Sequence, residues 1–141
     1  MKFWDSSAIV PLLVREPTTA RLRALYLAEP NPMVWWGTFV ECASALARRH
    51  AEGSLDGVGM TAAITRLEKS AVDWLEISAG PEIRTQAVRL VRLHRLRAAA
   101  ALQLAAAIVA SDLDPSTIEF VTLDLRLAEA AEREGFTLVL S

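Results

Sequence analysis

Apolar positions in this chain fall into short runs and helical stripes that alternate from one end to the other. Residues 2–5 read as a short strand closed by an acid and two serines, and residues 6–14 then carry apolar side chains at helical spacing. Glu16-Pro17-Thr18-Thr19 reads as a turn opening a helix, with proline in the first turn where its missing N–H is no loss; residues 21–28 continue it and Pro30-Asn31-Pro32 breaks it. Residues 33–36 are uninterruptedly apolar, the pattern of a strand buried on both faces. Thr38 with Glu41 three positions on has capping-box spacing, and predicts a helix running to about Glu52 and stopped by Gly53. The same reading predicts helices over 59–72, 81–93, 96–110 and 125–134, and strands over 75–77, 119–123 and 137–140.

Strands alternating with helices predict an α/β fold, a three-layer α/β/α sandwich around a central, mostly parallel sheet of four or five short strands. A length of 141 residues fits one domain over 1–141. With 52% hydrophobic and 23% charged residues, the composition excludes a disordered chain. Cys42 is the single cysteine, so neither an internal disulfide nor a cysteine-based zinc site is expected. Asp5 falls where a signal peptide needs its apolar core, and the longest apolar stretch, 98–110, is too short for a bilayer and holds Gln103. The expectation is a cytoplasmic protein without a membrane partner.

The net charge of −2 decides nothing, but its distribution does. From Ile83 to Ser111 there is no acid, while Arg84, Arg89, Arg92, Arg95 and Arg97 fall there. Such a block is a candidate phosphate-contacting surface, with a solvated helix face as the plainer reading.

In a parallel sheet, functional groups collect at the carboxyl ends of the strands. Asp5 ends the first strand, Asp124 ends a later one, and Glu41 lies early in the helix after the second. Three carboxylates converging on one edge repel unless a cation lies between them, and a hard divalent ion such as Mg2+ or Mn2+ suits oxygen ligands. Each acid also has a local reading: Asp5 and Asp124 as helix N-caps, Glu41 as a capping-box partner. His50 and His94 have no partners spaced for a catalytic triad, Cys42 reads as core, the four tryptophans read as filling the core or a dimer face, and no glycine-rich phosphate loop occurs.

Phe3-Trp4-Asp5-Ser6-Ser7-Ala8, Phe39-Val40-Glu41, Leu96-Arg97 with Ala101-Leu102-Gln103-Leu104-Ala105, and Phe120-Val121-Thr122-Leu123-Asp124-Leu125-Arg126-Leu127-Ala128 together resemble the PIN domain, more narrowly the VapC toxins of VapBC toxin–antitoxin modules. The resemblance spans essentially the whole chain in order and spacing. It implies a metal-dependent endoribonuclease that uses Mg2+ or Mn2+, cuts RNA, forms a homodimer and is neutralised by a cognate VapB-like antitoxin. By position, Asp5 matches the first metal ligand, Glu41 the second acid and Asp124 the fourth, with Ser7 and Thr122 at supporting hydroxyl positions. The arginines from Arg84 to Arg97 would guide the RNA backbone.

One position departs from the pattern. Where the family has its third carboxylate, this chain has Ala100, and no other acid lies in that helix. Losing one of four acids weakens metal binding and misplaces the attacking water, and a displacement of about 1 Å can cost on the order of a hundredfold in rate. Two explanations fit, an inactivating Asp→Ala change or a natural departure; the other three acids being intact favours the first. The expectation is therefore an impaired or inactive chain, with a naturally non-catalytic PIN module that binds antitoxin or RNA as the alternative. Receiver-type and haloacid-dehalogenase-type phosphotransfer domains fit less well, because the former need paired acids after the first strand and the latter Asp-x-Asp, whereas here Asp5 is followed by Ser6-Ser7. For a dimer face, the apolar helix positions Leu22, Leu25 and Tyr26, or Leu46 and Ala47, are the candidates.

Overall fold

In the computed structural model, which describes residues 1–140, the chain runs β1 (Lys2–Trp4), α1 (Ser6–Leu13), α2 (Thr19–Ala28), β2 (Met33–Trp35), α3 (Thr38–Ala51), α4 (Gly57–Ala71), β3 (Leu75–Ile77), α5 (Pro81–His94), α6 (Ala98–Ala110), β4 (Glu119–Val121), α7 (Leu125–Arg133) and β5 (Thr137–Leu138). All five strands are parallel, in the order β3-β2-β1-β4-β5. Parallel neighbours require a crossover between them, and the helices supply it.

Side-chain alternation along each strand builds the three layers. Phe3, Met33, Trp35 and Phe120 pack with α5, α6 and α7 in one buried cluster. Trp4, Val34 and Val121 pack with α1, α2, α3 and α4 in another. The result is a three-layer α/β/α fold with five strands, all of them parallel.

The chain steps from β1 to β2 to β3 in one direction and then returns to the other side of β1 for β4 and β5. The strand order therefore reverses between β1 and β4, and a crevice opens there beyond the carboxyl ends of the strands. Asp5 follows β1 directly, and Thr122 and Asp124 follow β4.

Several local expectations are corrected. Thr38 is not the N-cap of α3: Gly37 takes that place without a side-chain cap, and Thr38 is fully buried in the first turn. Pro17 precedes α2, whose N-cap is Thr18. The second strand stops at Trp35, and Trp36 turns outward to 59% exposure. Leu22 and Leu46 are fully buried in the core, so neither helps form a dimer face; Leu25 and Tyr26 are half-buried and Ala47 is exposed. No helix among the described residues is long and apolar enough to cross a membrane.

Candidate functional site

Asp5 and Asp124 reach the crevice because each closes a strand and starts a helix. Asp5 caps α1 through the backbone N–H of Ser7, and Asp124 Oδ1 caps α7 by accepting from the N–H groups of Arg126 and Leu127 at 3.0 and 3.2 Å. The local reading of both acids as N-caps is thus correct, and it coexists with their place in the site. Glu41 differs: its Oε1 accepts from Ser6 Oγ at 2.8 Å and from Gln103 Nε2 at 3.2 Å, not from its own helix start.

Asp5, Glu41, Asp124, Ala100, Arg97 and Arg126 line one cavity of about 390 Å³. Asp5 is 4% exposed, yet its Oδ2 is fully engaged: the hydroxyls of Ser7 and Thr122 both donate to it, the latter at 2.8 Å. These hydroxyls in turn accept from the N–H groups of Leu123 (2.9 Å) and Asp124 (3.0 Å), which ties the end of β1 to the loop after β4. Ser7 and Thr122 thus both bind the Asp5 carboxylate. Ser6 Oγ stands between Asp5 and Glu41, 3.4 Å from Asp5 Oδ1.

Burial pushes the Asp5 carboxyl above the usual carboxylate range; the Ser7 and Thr122 hydrogen bonds pull it down, and the Asp124 charge pushes it up. Glu41 is also raised, first by burial and then by the Asp5 charge, against hydrogen bonds from Ser6 and Gln103. The adjacent Cys42 thiol is pushed up to about 12 by burial and the charges of Glu41 and Asp5, which keeps it protonated and unreactive as a nucleophile.

Asp5 is held mainly through Oδ2, Glu41 through Oε1 and Asp124 through Oδ1; Asp5 Oδ1 has the long 3.4 Å contact from Ser6, and Glu41 Oε2 and Asp124 Oδ2 have no hydrogen bond among the described residues. This all-oxygen donor set fits a hard divalent cation that keeps part of its water shell. The three acids share a cavity, but no three His, Cys, Asp or Glu side chains among the described residues stand close enough together to form a ready metal-ligand group. Ala100 contributes only a methyl group to the cavity wall.

The arginine block is divided by the fold. Arg97 is the N-cap residue of α6 and lines the cavity. Arg89 is held by Glu134 at 2.6 Å, with His94 on the same carboxylate at 2.7 Å. Arg92 is exposed on α5, Arg95 is the left-handed residue that ends α5, and Arg84 borders a different cavity near Trp35. Arg126, which sequence reasoning missed, lines the acid cavity beside Arg97, and neither forms an ion pair among the described residues. Its signal was its place two residues after a strand-end acid. The other missed residue is Gln103, fully buried, whose Nε2 donates to Thr38 Oγ1 at 2.9 Å as well as to Glu41. A lone amide in an alanine-rich helix was the available signal.

Comparison with known proteins adds no relative: neither a family model nor a curated protein matches the chain.

Proposed function

We propose that this chain is a toxin-type endoribonuclease of the PIN class, VapC-like, acting on RNA phosphodiester bonds and lacking one of its metal-binding acids. The observation that carries this reading is the shared cavity. Asp5, Glu41 and Asp124 come from three distant segments, and Ala100, the position where the resemblance expects the third carboxylate, lines the same cavity.

Asp5, Glu41 and Asp124 would hold magnesium or manganese, with water completing the shell. A divalent cation bound there supplies charge neutralisation at the phosphoryl oxygens and a more acidic water. The chain's own groups do the rest. Ser7 and Thr122 fix Asp5, and Gln103 and Ser6 fix Glu41, so the carboxylates need little reorganisation. Arg97 and Arg126 offer unpaired guanidinium groups to the RNA phosphates. The first-turn N–H groups of α6, next to Ala99 and Ala100, lack helical acceptors and favour an anion at the same wall.

The deciding experiment restores Ala100→Asp and measures RNA cleavage with magnesium or manganese. Position 100 is the third residue of α6, where an acid also suits the helix dipole, so the substitution leaves the fold undisturbed. Metal-dependent cleavage at least a hundredfold above that of the present chain is the expected result. No cleavage by either form would overturn the reading. The second reading, a non-catalytic PIN module that binds antitoxin or RNA, is favoured by the missing acid and by the absence of a ready metal-ligand group among the described residues; it gains if the Ala100→Asp form neither binds manganese nor cuts RNA.

A further inference from the structure

A second groove of about 710 Å³ adjoins the acid cavity and shares Ser6, Ser7, Glu41 and Ala99 with it. Trp35, Trp36, Val40 and Leu102 form its apolar wall, and Ser44 and Arg48 continue it along α3. Trp36 is 59% exposed and Val40 63%, an unusual exposure for a large aromatic and its neighbour. The Trp36 backbone is not loose, because its N–H donates to Ile77 O at 3.1 Å at the end of β3. The exposed indole therefore extends from an anchored backbone into the wall of the groove beside the acid cavity. Arg48 lies on the same helix as Glu41, seven residues on, about 10 Å along the axis at a rise of about 1.5 Å per residue. It forms no ion pair among the described residues, unlike Arg49, which is bound to Glu16.

Resting on the ribonuclease reading, we propose that this groove is a nucleotide subsite. An unpaired base flanking the scissile phosphate stacks on the Trp36 indole against Val40, and Arg48 takes a neighbouring phosphate of the same strand. Three features select this occupant. The groove is continuous with the acid cavity, so a strand placed there leads into it. Its wall is aromatic and apolar, which suits the π-face of any base without reading its sequence. Its far end carries an uncompensated positive charge complementary to a phosphate, at a distance of about three nucleotides at the stacked-strand rise of about 3.4 Å. A base locked in a duplex cannot lie on the indole, so the subsite selects unpaired segments.

The test uses the chain as it stands, in which Ala100 limits cleavage, with a single-stranded oligoadenylate RNA heptamer and the same strand in a duplex. Trp4, Trp35 and Trp74 are at most 7% exposed, so fluorescence quenching by the RNA or by iodide reports on Trp36. The single strand is expected to quench the emission and protect it from iodide, and the duplex is not. Followed by the fluorescence anisotropy of an end-labelled RNA, Trp36→Ala weakens single-strand binding about tenfold or more, whereas Trp36→Phe retains most of it. Arg48→Ala lowers the slope of log affinity against log salt by about one. Equal binding by Trp36→Ala and the unchanged chain overturns the subsite, and if Ala100→Asp still cuts RNA, the ribonuclease reading stands without it. Trp36-dependent binding with no cleavage by Ala100→Asp supports the subsite and counts against the ribonuclease. Iodide protection that appears without RNA and rises with protein concentration, alongside a doubled mass in light scattering, assigns the groove to a second copy of the chain and overturns the proposal.

Discussion

The Thr122 hydroxyl donates to the Asp5 carboxylate at 2.8 Å across a sequence separation of 117 residues, and accepts from the N–H of Asp124 at 3.0 Å. One small side chain thus orients the most buried acid and orders the loop that carries the third. Thr122→Val keeps the volume and removes both bonds, leaving Asp5 Oδ2 with its Ser7 donors alone and the Asp124 N–H without its acceptor. A stability loss of about 1–3 kcal/mol is expected in urea unfolding, with Thr122→Ser close to the original.

Asp5 combines burial with a raised carboxyl, caused first by desolvation and increased by the Asp124 charge. An acid raised in the folded state favours folding most below its ordinary range near 3.8, and that contribution is lost as pH rises through the folded value. At neutral pH the ionised group therefore costs stability. Asp5→Asn, which keeps the shape, is expected to raise the thermal midpoint at pH 7 and to abolish any response to metal. Manganese at about a hundred times its Kd should add about 2.7 kcal/mol to the Ala100→Asp form and nothing to Asp5→Asn, measured by calorimetry.

Glu134 has the opposite sign. Hydrogen bonds from Arg89 and then His94 hold it below the ordinary value of 4.5, so its stabilisation is fully present above that value and lost as pH falls through the lowered one. Urea midpoints between pH 7 and pH 3 should fall more steeply for the unchanged chain than for Glu134→Gln; parallel curves would contradict the assignment.

Gly37 has an ordinary helical φ of −70°, so its role is space, not conformational freedom. A Cβ there would stand 2.5 Å from Trp35 Nε1, and the indole is nearly buried beneath α6. Gly37→Ala is expected to cost about 1–3 kcal/mol by overpacking and to shift tryptophan emission as the Trp35 ring is displaced.

The alternation of elements was legible in the sequence because strands and helices here each obey their own period, and two of the three acids announced themselves by closing a strand. What was illegible depends on partners far away in the chain. Thr38 and Glu41 have local capping-box spacing, but Gln103, more than sixty residues on, takes both side chains into its own hydrogen bonds. A buried amide with two available acceptors outweighs a cap that Gly37 leaves open at little cost. The arginine block was legible as charge but not as surface, since Glu134 claims Arg89 from across the fold while Arg126 enters the cavity from another helix. Long-range pairing of this kind leaves no periodic trace.

The position of β1 at the middle of the sheet has a temporal consequence. Its first neighbour arrives some thirty residues later, but its second, β4, follows only after more than a hundred, and Asp5 N–H donates to Val121 O at 3.0 Å only once that strand has docked. A growing polypeptide released N-terminus first from the ribosome therefore carries Asp5, Ser7 and Glu41 without the Thr122 hydroxyl or Asp124 until β4 and the residues after it have emerged. The crevice can assemble only after that segment is made, and a product truncated ahead of Thr122 would lack one of its walls.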